Sequence, residues 1–264
     1  MSSVTFTLVQ TVLHWEDKAA NLKMLDEKIA AITVPTHVVV LPEMFSTGFS
    51  MKPEALAEPM TGPTVQWMKK TAAVKKVILT GSLIIEESGR YYNRAIWMQP
   101  NGQYGFYNKR HLFAFGHEDQ HYTAGQQRFI ASVNGWKVAL QVCYDLRFPV
   151  WSRQQFDAEK RFEYDVLLYV ANWPQRRNQA WKTLLQARAI ENQCYVIGVN
   201  RVGEDGNGIY HSGNSIVIDS LGDILYHKED AEDVFTITLE KASLGKVREK
   251  FPFWRDADVF QIQQ

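Results

Sequence analysis

Cysteine is scarce in this chain: Cys143 and Cys194 are the only two among 264 residues. Secreted folds stapled by bridges are small and cysteine-dense, so a disulfide framework is excluded as the organising device. No Cys-x-x-Cys pair occurs, and neither a metal site nor a cofactor is expected. No apolar run approaches the roughly 18 residues a spanning helix needs. The N-terminal residues also lack a charged stretch followed by an apolar one, so a cytoplasmic protein without membrane partners is expected. An excess of one charge is missing as well. Lys plus Arg and Asp plus Glu each number 29, which draws the chain neither to nucleic acid nor to an anionic surface. Repeats, low-complexity tracts and Pro/Ser linkers are absent. With 45% hydrophobic residues, a single domain over residues 1–264 can bury a sizeable core.

What is present is an alternation of short apolar runs with helical patterns. Val4–Gln10 reads as a strand. Leu22, Leu25, Ile29 and Ile32 step by three and four, which marks a helix over Asp17–Ile32. Strand Thr36–Leu41, helix Thr64–Lys76 and strand Val77–Ile85 follow. Asn101-Gly102 and Asn134-Gly135 are type I′ hairpin signals. They join Arg94–Met98 to Tyr104–Tyr107, and Phe129–Val133 to Trp136–Val142. The second half continues with a short helix after Phe148, strand Asp165–Val170, helix Asn178–Asn192 and strand Tyr195–Val199. Strands near Ser215–Asp219, Ile224–His227 and Phe235–Leu239 close the pattern. Helices alternating with strands, plus hairpins, predict an α/β fold with mixed sheets.

Three ionisable residues stand where a predicted strand runs into a loop. Cys143 ends the run Trp136–Val142, Glu43 follows Val38–Leu41 and Pro42, and Lys109 follows Tyr104–Tyr107. Strand ends of an open α/β sheet can converge on one cleft. A thiol at such a rim meets substrate while its backbone stays rigid. Taken singly, each has a plainer reading: a core cysteine, an exposed carboxylate, an edge-strand lysine. Cys194, inside the apolar run around Tyr195–Val199, reads as packing.

In order, Leu41-Pro42-Glu43, Tyr107-Asn108-Lys109-Arg110-His111-Leu112-Phe113 and Cys143-Tyr144-Asp145-Leu146-Arg147-Phe148-Pro149 resemble the three signatures of the nitrilase (carbon-nitrogen hydrolase) superfamily. Tyr169–Pro174 and Ala187–Gln193 are similar to its bacterial omega-amidase branch. The resemblance implies a four-layer α-β-β-α sandwich. It also implies hydrolysis of the terminal amide of 2-oxo acid amides, such as 2-oxoglutaramate and 2-oxosuccinamate, through a Cys143 thioester. In that reading Glu43 moves protons. Lys109 raises the thiolate fraction of Cys143 and joins the Tyr144 N–H in an oxyanion hole. Glu118, seven residues before Gly125, takes the place of a second glutamate that orients the lysine.

A substrate carboxylate calls for a cation, and Arg176 and Arg177 follow strand Asp165–Val170 closely enough to reach the same rim. The branch resemblance favours Arg177. Trp173, Phe45 and Tyr144 are candidate pocket walls. Architectural roles are expected for Asp145 as a helix cap, Arg147 as a buried ion-pair partner, and Arg188 with Glu191 as a local pair. The Gly203–Gly208 segment reads as a mobile loop. A homodimer is expected, with residues 240–264 forming a helix and an aromatic tail able to pack on a partner subunit. Alternatives are another amidase, a carbamoyl-amine hydrolase or nitrilase, a Cys–His hydrolase using His111 or His117, and a non-catalytic binding protein on the same scaffold.

Overall fold

The computed structural model describes residues 2–156 and 162–262. Its first half contains β1 (Ser3–Gln10), α1 (Lys18–Ala30), β2 (Val38–Val40), α2 (Pro53–Leu56), α3 (Pro63–Lys75), β3 (Ile78–Glu87), β4 (Arg90–Met98) and β5 (Tyr104–Asn108). The second half contains α4 (Glu118–His121), β6 (Ile130–Val133), β7 (Trp136–Val142), α5 (Pro149–Ser152), β8 (Val166–Ala171), α6 (Asn178–Asn192) and β9 (Tyr195–Asn200). It ends with β10 (Val202–Glu204), β11 (Tyr210–Ile218), β12 (Ile224–Glu229), β13 (Asp233–Glu240) and α7 (Lys241–Lys250).

Two mixed sheets result. One runs β13-β1-β2-β3-β4-β5; the other runs β10-β11-β9-β8-β7-β6, with β12 paired to β11. Period-two alternation decides which layer each side chain enters. In the first sheet Val4, Phe6, Leu8, Val38, Val40, Ala95 and Trp97 share a core with Val138, Leu140 and Val166 of the second. Val9, Val39, Leu79, Ile96 and Met98 point the other way, into a core with Leu25 and Ile29 of α1 and Val65, Met68 and Ala72 of α3. On the far side α6 lies close on β9. A Cβ on Gly198 would stand 2.7 Å from Leu185 Cδ1 and 2.8 Å from Trp181 Cζ2, so that glycine sets the approach of helix to sheet. Helices outside two facing sheets make the four-layer sandwich.

Local chemistry explains most boundaries. The Asp17 carboxylate accepts from Ala20 N (2.9 Å) and starts α1. Pro63 opens α3, and Lys76 ends it in the left-handed region. The two Asn-Gly turns differ. Asn134 (φ 49°) and Gly135 (φ 78°) are both left-handed, as type I′ requires, and Val133 pairs with Trp136. At the other turn only Gly102 (φ 81°) is left-handed. Gly102 N donates to Gln99 O and Gln99 N to Gln103 O, which makes a longer turn that Asn101 Oδ1 closes by accepting from Gln103 N. A further hairpin, unforeseen in sequence, turns at Ser88 (φ 55°) and Gly89 (φ 73°) and carries β3 on to Glu87.

The C-terminal segment is fastened to its own subunit. Arg248 donates to Asp165 Oδ1 (3.0 Å), Tyr164 O (3.0 Å) and Gln193 O (2.9 Å), and Lys241 Nζ reaches Asp165 Oδ2 (2.9 Å). Trp254 packs against Phe156 and Phe162 at 5.4 Å between ring centres. The last two residues of the expected tail lie outside the described residues. Of the expected architectural pairs, Arg188 and Glu191 meet at 2.9 Å.

Candidate active site

β2, β5 and β7 end at one place: Lys109 and Cys143 come directly after β5 and β7, and Glu43 follows β2 after Leu41 and Pro42. Cys143 comes directly after β7 with φ 45°, and a 3-10 turn over Cys143–Arg147 follows. A non-glycine residue held there costs about 1–3 kcal/mol, so the surroundings must impose it. Asp145 does so. Its fully buried carboxylate accepts from Val142 N (3.0 Å), Tyr107 Oη (2.7 Å) and His111 N (2.9 Å), and lies 2.8 Å from His111 Nδ1. The expected cap is therefore present, as the side chain that ties Val142, the residue before Cys143, to the turn behind it. Tyr144, second in that turn, has an N–H with no partner inside it. Its ring packs on Phe113 (5.0 Å) and Phe148 (5.1 Å).

Behind the thiol lies a buried Glu–Lys–Glu cluster. Lys109 Nζ is 3.0 Å from Glu43 Oε1, 3.0 Å from Glu118 Oε1 and 2.8 Å from Glu118 Oε2. All three side chains are fully buried. Glu118 is held by Phe113 N at 2.6 Å, whereas its neighbour Asp119 is exposed. Two asparagines complete the cluster, and the sequence reading named neither of them as a site residue. Asn93 Nδ2 donates to Glu43 Oε1 (2.8 Å) and Glu118 Oε1 (3.1 Å). Asn172 N donates to Glu43 Oε2 (2.7 Å), and Asn172 Nδ2 to Glu43 O (2.6 Å). Asn93 sits mid-strand, where nothing in its neighbours marks it. Asn172, by contrast, lies in the conspicuous Asn-Trp-Pro run.

The charges sort the protons. Burial alone would lower the Lys109 pKa, but Glu118 and then Glu43 outweigh it and keep the ammonium charged. Burial pushes the Glu118 carboxyl up against the pull of Lys109. Burial also pushes the Cys143 thiol well up; the Glu43 charge adds to this, and Lys109 only partly opposes it. Lys109 favours the thiolate, as expected, but burial and Glu43 outweigh it. Two carboxylates have already neutralised that cation, so the resting sulfur keeps its proton and needs a base to remove it.

Cys143 opens onto a cavity of about 140 Å³. Trp173, Phe49, Met51 and Phe113 give it apolar walls, and Arg147 and Arg177 bring charge to it. Arg177 is half-buried, with its guanidinium 4.9 Å from the Phe113 ring centre. Burial lowers its pKa, as do Arg147 and Arg176, yet a guanidinium remains charged at neutral pH. Arg147 is not the buried ion-pair partner expected. It is exposed and lies over the Trp173 ring at 5.1 Å. Among the described residues neither arginine has a carboxylate within 4 Å.

Other expectations separate here. Arg176 is exposed and off the cavity. Phe45 is not a wall either: it is fully buried in the core beside Trp67, at 5.8 Å between ring centres. The turn after Pro42 aims Glu43 inward at the cluster and Phe45 into the helix-facing layer. The Gly203–Gly208 segment forms the turn between β10 and β11, with Asp205 Oδ1 accepting from Asn207 N (2.8 Å) and Ile209 N (3.0 Å). Asp205 and Asn207 from it, and His211 of β11, line the cavity. Burial pushes the His211 imidazole down to about 4, so it is neutral.

His117-Glu118-Asp119-Gln120-His121 has the H-E-x-x-H spacing of a zinc helix, contrary to the expectation that no histidine pair shows that spacing with a Glu. His117 is exposed and left-handed (φ 62°), ahead of a four-residue helix, and Glu118 is engaged by Lys109. Among the described residues no group of three or more His, Cys, Asp or Glu is placed to hold a metal ion. No helix among them is long and apolar enough to cross a membrane.

A family model described as carbon-nitrogen hydrolase matches residues 5–249. Omega-amidase YafV of Escherichia coli K12 is 44% identical over 99% of this chain and 100% of its own length. A 2-oxoglutaramate amidase of Bacillus subtilis is 31% identical over 96% of each. The crystal structure of XC1258 from Xanthomonas campestris, a CN-hydrolase superfamily protein with an arsenic adduct in the active site, superposes with a TM-score of 0.96. It shares 43% identity and covers 100% of both chains.

Proposed function

This chain belongs to the carbon-nitrogen hydrolase family, and on that premise we propose that it is an omega-amidase acting on short amides that carry a carboxylate at the far end. The observation that carries this reading is the shared cavity. The same cavity is lined by a thiol backed by Glu43, Lys109 and Glu118 and by two guanidiniums that have no carboxylate partner among the described residues. A 2-oxo acid amide such as 2-oxoglutaramate or 2-oxosuccinamate presents matching ends. The names of the Escherichia coli and Bacillus subtilis relatives support the same substrate class.

Glu43 takes the Cys143 proton as sulfur adds to the amide carbon. The oxyanion forms between Lys109 Nζ and the Tyr144 N–H; losing one such donor typically costs about 3–4 kcal/mol of transition-state stabilisation. Glu43 then gives its proton to the nitrogen, the C–N bond breaks, and ammonia leaves a Cys143 thioester. Water enters, Glu43 removes its proton, and the second tetrahedral species expels sulfur, which regains the proton. The sum is amide plus water giving acid plus ammonia. Glu118 touches Lys109 rather than the reacting atoms and is a positioning residue. Arg177, with Arg147 beside it, holds the carboxylate, and Trp173 walls the acyl chain.

Ammonia release tests the reading. Rapid turnover of 2-oxoglutaramate and succinamate against slow turnover of propionamide and of nitriles is expected. Preference for neutral amides would remove the carboxylate end of the proposal. We also read the protein as cytoplasmic and homodimeric. Val150, Ile190 and Phe253 are large apolar side chains left exposed, which a partner subunit could cover. Sedimentation velocity distinguishes a dimer from a monomer.

A further inference from the structure

Asn172 has three polar groups besides its carbonyl, and two are committed to Glu43: its N–H to Oε2 (2.7 Å) and its Nδ2 to the main-chain oxygen (2.6 Å). The third, Oδ1, is buried and has no hydrogen-bond partner among the described residues. The amide cannot be reversed, because that would set two carbonyl oxygens 2.6 Å apart. Oδ1 is therefore a fixed acceptor. The residue is only 6% exposed and lines the cavity together with Cys143. Buried acceptors rarely stay unpaired. The neighbouring orphan, Asn93 Oδ1, does not line the cavity. His211 Nδ1 is a second cavity-wall orphan, but it makes no hydrogen bond to Glu43.

We propose that Asn172 Oδ1 accepts one N–H of the scissile carboxamide, which makes Asn172 the residue that selects an amide over an ester or nitrile of the same acyl group. A carboxamide has two N–H donors on the atom that must face Glu43 to be protonated. Asn172, bonded to Glu43 at two points, is placed to take one of them and turn the nitrogen toward that carboxyl. An ester offers an oxygen lone pair at the same point and meets Oδ1 as acceptor against acceptor. A nitrile offers no donor there. The proposal rests on the amide-hydrolase reading and extends it to leaving-group choice.

The test is binding without chemistry, so that changes in the proton duty of Glu43 do not enter. In a Cys143→Ala background, titration calorimetry gives Kd for succinamate and for monomethyl succinate. If wild-type protein prefers another acyl group, that group's amide and methyl ester are used instead. Adding Asn172→Ala is expected to weaken amide binding by roughly three- to tenfold, the worth of one neutral hydrogen bond, and to leave the ester unchanged or tighter. Asn172→Asp is the rescue. Burial beside Glu43 favours its protonated form, which donates to Glu43 O and keeps one acceptor, so the amide preference should return. Parallel loss for amide and ester, or an Asn172→Asp variant as unselective as Asn172→Ala, would overturn the proposal. Failure of the substrate reading looks different: wild-type protein would then release no ammonia from carboxylate-bearing amides.

Discussion

Glu118 Oε2 lies 2.8 Å from Lys109 Nζ, with both side chains fully buried. With Glu43 on the other side, the ammonium is caged by two carboxylates and the cluster carries one net negative charge when all three are ionised. Most of the chemistry described above follows from that count.

Removing the cation should expose the cost of the cage. In Lys109→Met at least one buried carboxyl must hold a proton, so its folded pKa rises above the unfolded value of about 4.3. A group shifted that way contributes stability below its unfolded pKa and loses it as pH rises through the folded one. Urea denaturation should show a deficit of about 3–5 kcal/mol at pH 7.5 that narrows at pH 5. A deficit independent of pH would show that the carboxylates are not held by Lys109.

The thiol should behave as a protonated one. Burial and Glu43 raise its pKa, so iodoacetamide should alkylate Cys143 more slowly than free cysteine at pH 7.5. The rate should still be climbing above pH 9. Mass spectrometry of the Cys143 peptide across pH reads this directly. A plateau between pH 6 and 7 would mean a resting thiolate of the Cys–His kind.

The two adjacent arginines should part company. Arg177→Met is expected to raise KM for succinamate by about 10–100-fold, in keeping with roughly 1.5–3 kcal/mol for a charged hydrogen bond, with propionamide turnover little altered. Arg176→Met should match wild type on both, because its side chain is exposed and off the cavity. Steady-state kinetics on the two amides decides it. Equal effects from both substitutions would mean that general surface charge, not a seated carboxylate, sets affinity.

Tyr107 links β5 to the turn that begins at Cys143. Its hydroxyl donates to Asp145 Oδ2 (2.7 Å) and accepts from Trp151 Nε1 (2.9 Å) and Arg110 N (3.1 Å). Tyr107→Phe leaves those donors short of a partner and should cost about 1–3 kcal/mol in thermal or urea unfolding. It should also lower kcat more than it raises KM, since Asp145 holds the strained Cys143. Unchanged kcat in a destabilised variant would separate the turn from catalysis.

Legibility in the sequence followed locality. Strand ends at Glu43, Lys109 and Cys143 could be read because an apolar run stops and an ionisable residue follows within two positions. Asn134-Gly135 was legible as a type I′ turn, whereas Asn101-Gly102 looked the same and folded differently, because turn type also depends on how the strands meet. Arg147 and Phe45 were misplaced for a common reason. Whether a side chain beyond a strand end turns inward or outward depends on backbone dihedrals that composition does not report. Asn93 is a mid-strand residue whose role depends on partners at positions 43 and 118. Glu118 depends likewise on Lys109 and Asn93, whereas the Asp205 turn is closed by its near neighbours Asn207 and Ile209. The sandwich and the Glu118 role came from family resemblance.

Rapid mixing with 2-oxoglutaramate, an acid quench within the first turnovers and intact-mass measurement bear most directly on the proposed chemistry. An added mass equal to the 2-oxoglutaryl group, located on the Cys143 peptide and absent in Cys143→Ala, should appear together with released ammonia. Ammonia released at the wild-type rate by Cys143→Ala, with no adduct on the wild-type chain, would contradict it.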